Sequence, residues 1–180
     1  MKAPASIETT RLLLRRPVWS DAQAIFRSFG GNSAVTRYLS WPAHRSVADS
    51  YAFIEWSDAE WERWPAGPYL VFAREGFRKK VLGSIGMAFT AADTATAGYA
   101  FAQPVWGRGL ATEALRAVVE VARGLGLQQL GALCHADHAA SIRVLEKCGF
   151  QLQGLREKQT IFPNLAPGVG MNALSFTRVL

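Results

Sequence analysis

The stretch VWGRGLATEAL, residues 105–115, sets two glycines on either side of an arginine and leads into a helix-like run. Glycines in such a loop let the backbone approach a ligand closely. Apolar residues then recur at helical spacing up to Leu125, with charged residues on the opposite face. The start of a helix offers unpaired N–H groups and a partial positive charge, so the sequence predicts an anion site there.

Three anionic ligands compete for this loop. A dinucleotide loop reads G-x-G-x-x-G and needs an acid about 20 residues further on. Gly107 and Gly109 fit that pattern, but Thr112 replaces the third glycine and residues 127–133 contain no acid. A nucleoside triphosphate loop needs a lysine and then Ser or Thr after the second glycine, and GLAT has no lysine. The third candidate is the pyrophosphate of coenzyme A.

The composition predicts one globular domain over residues 1–180. Of the 180 residues 49% are hydrophobic, and the sequence contains no apolar run of about 18 residues. The first residues do not read as a secretion signal, so we expect a cytoplasmic protein that does not act at a membrane. The formal charge of +6 suits an anionic partner. The charges are dispersed, however, so nucleic acid is not expected as the main ligand.

Periodicity and turn residues predict an α/β chain in the order β-α-α-β-β-β-α-β-α-β-β. The helices are predicted over 20–29, 46–64, 139–149 and the run that follows Gly109. The strands are predicted over 11–16, 68–75, 81–90, 96–103, 127–135, 150–158 and 171–179. A basic turn at 76–80 joins the second and third strands. The two cysteines, Cys134 and Cys148, fit buried reduced thiols, and no metal is expected.

The chain resembles the GCN5-related N-acetyltransferases (GNAT family), and most closely their branch of ribosomal-protein N-terminal acetyltransferases. The family loop has the form [Q/R]-x-x-G-x-[G/A], matched here by Gly109 and Ala111, with Trp106 where Gln or Arg is usual. HAASIRVLEKCGF (138–150) is similar to the family segment N-x-x-S-x-x-V-L-E-K-x-G-F. TTRLLLRRPVWSDA (9–22) resembles the opening of the branch.

This resemblance covers nearly the whole chain and implies the GNAT fold. That fold has a central mixed, mostly antiparallel sheet, expected here with about seven strands and about four flanking helices. It also implies acetyl-CoA as the acetyl donor, with direct attack by an amine and no metal. Two splayed strands, about 96–102 and 129–135, would hold the pantetheine. Backbone N–H groups near Ala100–Ala102 would bind the thioester carbonyl, with Phe101 and Ala102 as the expected cofactor contacts. The pyrophosphate would lie on the amides of Arg108, Gly109, Leu110, Ala111 and Thr112.

The proton donor is expected at Ser141. Many family members carry a tyrosine at the position of Leu145, which cannot donate a proton. In the branch the serine of N-x-x-S takes this role, and its hydroxyl would protonate the departing thiolate. The alternative is that Ser141 only satisfies backbone groups in the first turn of its helix. His138 replaces the usual asparagine and has three possible roles: cofactor contact, helix capping or proton transfer.

The proton acceptor is less evident. A glutamate of some relatives aligns near Thr96, which is no useful base. Asp93, Glu75 and His44 are substitutes, and a water chain or an amine that arrives neutral would also suffice. An α-amine, with a pKa near 8, is partly neutral at pH 7, whereas alkyl amines near 10.4 need more help. This difference mildly favours an α-amine acceptor.

Trp41 and Phe162 are the expected walls of the acceptor cleft, bordered by the loop 161–170. The chain is therefore predicted to acetylate a primary amine, either a protein N-terminus or a small molecule. The alternative is a CoA-binding sensor or interaction module with little or no catalysis. A homodimer is plausible, because edge strands and exposed aromatic residues are available.

Overall fold

The computed structural model of the chain describes residues 1–74 and 80–180. Glu75 and nearly all of the predicted basic turn at 76–80 therefore lie outside the described residues. The described strands form one sheet in the order β1-β2-β3-β4-β5-β6-β8-β7. They are β1 (Ser6–Glu8), β2 (Leu12–Arg15), β3 (Tyr69–Ala73), β4 (Val81–Ala91), β5 (Thr94–Phe101), β6 (Gln129–His135), β7 (Gln151–Ile161) and β8 (Gly170–Val179).

The helices match the predicted order but not every boundary. They are α1 (Ala22–Ile25), α2 (Ser33–Thr36), α3 (Val47–Arg63), α4 (Leu110–Gly124) and α5 (Ala139–Lys147). The helix predicted over 20–29 is instead a 3₁₀ turn, α1 and a π turn in succession. The sequence did not predict β1 or α2. Both are too short to show a hydrophobic period, and α2 is marked mainly by its Asn32 cap.

Helices cover both faces of the sheet. Tyr69 and Val71 of β3 belong to one buried cluster with Leu115 and Val118 of α4. The alternate residues of β3, Leu70 and Phe72, pack in a second cluster with α1 and α3. Because successive strand residues point to opposite faces, the two clusters lie on opposite sides of β3. In the described part of the chain, no helix combines the length and apolar character needed to cross a membrane.

The centre of the sheet opens between β5 and β6. All other neighbouring strands are antiparallel, whereas β5 and β6 are parallel. They pair only between Ala95–Ala97 and Leu130–Ala132, although β5 continues to Phe101 and β6 to His135. The diverging ends of these two described strands leave a gap, called here the slot. A parallel pair needs a crossover connection, and α4 supplies it.

The first turn of α4 is fixed to the start of β2 through Glu113. One carboxylate oxygen, Oε1, accepts from Thr9 Oγ1 at 2.6 Å and from Arg11 N at 2.8 Å. The other oxygen pairs with Arg11 Nε at 2.6 Å, and Arg11 Nη1 also donates to the carbonyl of Arg108 at 3.0 Å. Burial raises the pKa of Glu113, but these hydrogen bonds and the arginine outweigh it, so the pKa lies below its usual value.

Replacing Glu113 with Gln should lower the free energy of unfolding by about 1–2 kcal/mol at pH 7, because a charged acceptor of three donors is lost. The folded pKa is depressed, so the stabilisation is complete above the unfolded pKa near 4.5 and disappears as pH falls through the folded value. The difference between wild type and Glu113→Gln should therefore shrink in urea titrations at pH 3.

The matched control is Glu120→Gln on the same helix, which removes an exposed pair with Arg123. That variant should differ from wild type by less than about 0.5 kcal/mol at both pH values. A Glu113→Gln deficit that stays the same at pH 7 and pH 3 would contradict this account of the anchor.

Candidate active site

One cavity of about 660 Å³ runs from the start of α4, through the slot, to an aromatic end beside α3. Nine of the eleven residues that the sequence singled out line it. They are Trp41, Phe101, Gly109, Leu110, Ala111, Thr112, His138, Ser141 and Phe162. The other two, Ala102 and Arg108, do not line it. The fold thus brings most of the predicted donor and acceptor residues into one connected space.

The loop before α4 depends on its glycines. Gly107 and Gly109 have φ values of +74° and +73°, in the left-handed region that costs other residues about 1–2 kcal/mol. The indole of Trp106 donates to the carbonyl of Phe101 at 2.6 Å and fixes the loop to the end of β5. Arg108 contributes its carbonyl to Arg11 and has an exposed side chain. The loop is therefore held on both sides while its glycines turn the chain into α4.

The start of α4 presents backbone donors to the cavity. The first intrahelical bond runs from Glu113 N to Gly109 O at 3.1 Å. The three preceding N–H groups, of Leu110, Ala111 and Thr112, have no intrahelical partner and belong to residues that line the cavity. Such a cluster of amides at a helix start can bind a phosphate-type anion.

The charges of the cavity wall also suit an anion. Arg143 and Lys147, one turn apart on α5, both line the cavity. Among its described lining residues, none carries a carboxyl group. Glu113, the acid in the first turn of α4, is neutralised by Arg11. Among the described residues, no group of three or more His, Cys, Asp or Glu side chains is arranged to hold a metal ion.

Ala102 does not have the role that the sequence predicted. Its N–H points to β4 and donates to the carbonyl of Leu82 at 2.8 Å, so it is not free for a ligand in the slot. Backbone groups alternate sides along an antiparallel strand, which turns the N–H groups of Phe101 and Tyr99 towards the slot. The bond from Trp106 to the Phe101 carbonyl lies on the same side. These two amides are the donors that a carbonyl in the slot can reach.

Ser141 and Tyr99 form a hydroxyl pair where β5 faces α5. Their side-chain oxygens lie 2.9 Å apart, and Tyr99 Oη also donates to the Ser141 carbonyl at 3.2 Å. Burial raises the pKa of Tyr99, and the Ser141 hydrogen bond offsets only part of that effect, so the phenol is protonated at neutral pH. The sequence did not single out Tyr99, because nothing in TAGYAFAQ shows which face of β5 meets α5.

The slot also contains a thiol, but not a reactive one. Cys134 of β6 lines the cavity and is 4% exposed. Burial raises the pKa of Cys134 to about 11, with a smaller opposing effect from the Ser141 hydroxyl. Because the thiolate is the nucleophilic form, this cysteine is a poor nucleophile at neutral pH. The geometry thus suits direct transfer between two bound substrates better than a covalent enzyme intermediate.

His138 does not cap α5, although it occupies the N-cap position. Its side chain makes no capping hydrogen bond. Instead the imidazole lines the cavity and stacks on Tyr38, with ring centroids 4.7 Å apart. Burial, and to a lesser degree His135, lowers the pKa of His138, so the ring is largely neutral at pH 7. Of the three predicted roles, ligand contact and proton transfer remain.

The other base candidates lie away from the cavity lining. Asp93 is in the exposed turn between β4 and β5, where Thr94 donates to it at 3.0 Å. His44 Nδ1 is 2.8 Å from Ser50 Oγ, and burial lowers its pKa. Thr96 does line the cavity but cannot act as a base. His138 is therefore the one imidazole among the described residues of the cavity wall.

Asn164, which the sequence analysis missed, holds the acceptor walls together. It lies in the loop between β7 and β8, two residues after Phe162. Its Nδ2 donates to the carbonyls of Thr36 at 2.7 Å and Trp41 at 2.9 Å. Its Oδ1 accepts from Ala43 N at 2.8 Å. Residues more than 100 positions apart thereby form one wall, a contact with no local sequence signal.

The chain belongs to the family described as the acetyltransferase (GNAT) domain, whose model matches residues 11–151. The uncharacterized N-acetyltransferase YoaA of Bacillus subtilis (strain 168) is 32% identical over 164 residues, covering 89% of this chain and 90% of that protein. The chain is thus an acyltransferase by family. This confirms the resemblance seen in its sequence.

Solved structures confirm the fold. Microcin C7 self-immunity acetyltransferase MccE, in complex with acetyl-CoA and AMP, has a TM-score of 0.86 at 22% identity, covering 98% of this chain and 97% of that one. RimL, the ribosomal L7/L12 alpha-N-protein acetyltransferase in complex with coenzyme A, has a TM-score of 0.82 at 20% identity. That match covers 99% of this chain and 97% of the RimL chain.

Replacing Asn164 with Leu should loosen the wall that it holds together, because both amide donors and the acceptor of the Ala43 N–H are lost. We expect the amide of Ala43 to exchange with deuterium at least tenfold faster, and the free energy of unfolding to fall by about 1–3 kcal/mol. Hydrogen exchange followed by NMR measures the first effect and urea titration the second.

Asn172→Leu is the matched control, since it removes another asparagine acceptor, the one that Lys158 N reaches at 3.2 Å. Exchange of the Ala43 amide should be unchanged in that variant. If the Ala43 amide in Asn164→Leu exchanges as slowly as in the wild type, the wall is held by other contacts.

Proposed function

We propose that this protein transfers the acetyl group of acetyl-CoA directly to a primary amine, either a protein N-terminal α-amine or a small-molecule amine. The observation that carries the proposal is the Tyr99–Ser141 hydroxyl pair, 2.9 Å apart. The pair lines the same cavity as the free amides at the start of α4. A site for a pyrophosphate and a site for proton donation are thus joined by the slot.

The donor would extend along the cavity from α4 into the slot. The amides at the start of α4 would bind its pyrophosphate, and Arg143 and Lys147 would add positive charge for the phosphates. The similar MccE structure contains acetyl-CoA, and the similar RimL structure contains coenzyme A. These similarities support the assignment of the donor.

The residues of the slot divide the chemistry between them. The N–H groups of Phe101 and Tyr99 would stabilise the thioester oxygen as it gains charge under attack by the amine. The Ser141 hydroxyl would then give its proton to the departing thiolate, and Tyr99 would return a proton to Ser141. A neutral amine loses one proton after its attack, and His138, the one imidazole in the described cavity wall, would accept it. His138 would release that proton to solvent, and the Tyr99 phenolate would take one back, which restores the hydroxyl pair.

A second function also has an observation in its favour. None of the described lining residues supplies a carboxylate base, so the chain would suit a sensor that binds acyl-CoA without turnover. Such a protein would still need the loop and the start of α4, but would have no use for a hydroxyl pair in the slot. Changes to that pair therefore distinguish the two functions.

Replacing Ser141 with Ala should lower kcat about 100-fold or more, the usual contribution of a positioned proton donor, with the Kd of acetyl-CoA kept within about threefold. Tyr99→Phe should lower kcat about tenfold, since Ser141 then protonates the thiolate without a partner that returns the proton. The measurements are free-thiol release with mass spectrometry of the product, and calorimetry with acetyl-CoA.

Tyr51→Phe is the control for loss of a phenol, because Tyr51 stacks on Trp19 and lies outside the cavity lining. It should keep wild-type kcat. Unchanged turnover in Ser141→Ala would remove Ser141 as the proton donor. Acetyl-CoA binding by the wild type without acetylation of any amine would instead support the sensor.

A further inference from the structure

The acceptor end of the cavity has two groups of aromatic rings. In the first, Tyr38 stacks on His138 at 4.7 Å and lies tilted against His135 at 5.0 Å, and His135 meets Phe162 edge-on at 4.9 Å. The second consists of Trp41, His44, Phe53 and Trp56, with successive centroids 5.3, 6.4 and 5.8 Å apart. We call these the His138 group and the Trp41 group.

The two groups face one space. Tyr38, His138 and Phe162 of the first group and Trp41, Phe53 and Trp56 of the second all line the cavity. Asn164 joins them through its hydrogen bond to the Trp41 carbonyl. Trp56 remains 47% exposed, so part of its apolar surface is not covered by the protein. Ring surface that flanks a cavity is suited to stack on a flat apolar group.

The charges at this end disfavour a polycation. A ligand with several ammonium groups needs carboxylates to compensate them when water is excluded. None of the described lining residues has one. Near the His138 group, the guanidinium of Arg37 lies over the Tyr38 ring at 5.2 Å. Asp137, the acid beside His138 in sequence, is mostly exposed and lies outside the lining.

The available proton acceptor sets a second limit. An imidazole has a reference pKa near 6.5, and burial lowers the pKa of His138 below that value. It is therefore a weak base for an alkylammonium with a pKa near 10, whereas an α-amine near 8 gives up its proton more readily. The site should work on amines whose own pKa is low.

We propose that the acceptor is a primary α-amine attached to an aromatic or other flat apolar group, and that polyamines and aminoglycosides are not substrates. This inference rests on the proposed function and narrows it. The ring groups would bind the body of the acceptor, and its amine would reach the slot next to His138. An amino-acid amide or a peptide N-terminus with an aromatic side chain has this chemistry.

Four amines test separately how an aromatic ring and a low amine pKa affect kcat/KM. Phenylalaninamide has the ring and the low pKa, alaninamide only the low pKa, phenethylamine only the ring, and spermidine neither. With saturating acetyl-CoA at pH 7, kcat/KM for phenylalaninamide should exceed that for alaninamide and for phenethylamine at least tenfold, and that for spermidine at least 100-fold. The value for phenethylamine should rise by up to about 100-fold between pH 7 and pH 9, because its neutral fraction grows by about that factor.

Trp41→Leu and Phe162→Leu test whether the ring groups create the preference. Each should reduce the ratio of kcat/KM for phenylalaninamide to that for alaninamide at least threefold, mainly through a higher KM for phenylalaninamide. Trp19→Leu is the control, because Trp19 is an exposed indole that stacks on Tyr51 outside the lining. That variant should keep the wild-type ratio.

The outcomes distinguish this inference from the proposed function. Spermidine turned over as well as phenylalaninamide would overturn the inference and leave the acetyltransferase proposal standing. A preference for phenylalaninamide over alaninamide that is unchanged in both Trp41→Leu and Phe162→Leu would also overturn the inference. If none of the four amines is acetylated but a peptide with a free Ser, Ala or Met N-terminus is, the inference fails and the proposed function stands. If acetyl-CoA binds and neither the four amines nor these peptides are acetylated, both fail.

Discussion

The structure depends on the divergence of β5 and β6 after three paired residues each. A parallel pair inside an otherwise antiparallel sheet requires a crossover helix, and that helix must begin beside the point where the strands part. The free amides of α4 therefore lie at one end of the slot, and the Tyr99–Ser141 pair lies within it. One topological feature brings together the proposed anion site and the proposed proton donor Ser141, which lie about 30 residues apart in the chain.

The chemistry of the site follows from burial as much as from residue identity. Tyr99 stays protonated and Cys134 stays a thiol because burial disfavours their charged forms. Burial also keeps His138 neutral. A wall with neutral donors, a neutral imidazole and no carboxyl among its described residues suits transfer to an amine that is itself easily deprotonated. Under the proposed function, a low pKa of the substrate amine would take the place of a strong base in the protein.

The loop and the order of elements could be predicted because they leave local signals. Gly107 and Gly109 must adopt positive φ, and the apolar stripe of α4 repeats with helical period. Tyr99 and Asn164 left no such signal, since each works through a partner more than 40 positions away. The Ala102 prediction was wrong because the side to which an amide points depends on strand register, which periodicity does not define.

The most direct test of the account is calorimetry with acetyl-CoA on Gly109→Glu, with Gly124→Glu at the far end of α4 as the control. The new carboxylate would stand at the start of α4, where the pyrophosphate is proposed to bind, and an L-residue is strained at a φ of +73°. We expect at least a 100-fold loss of affinity in Gly109→Glu, a native circular dichroism spectrum in both variants, and unchanged affinity in Gly124→Glu. Wild-type affinity in a folded Gly109→Glu would contradict the assignment of α4 as the anion site.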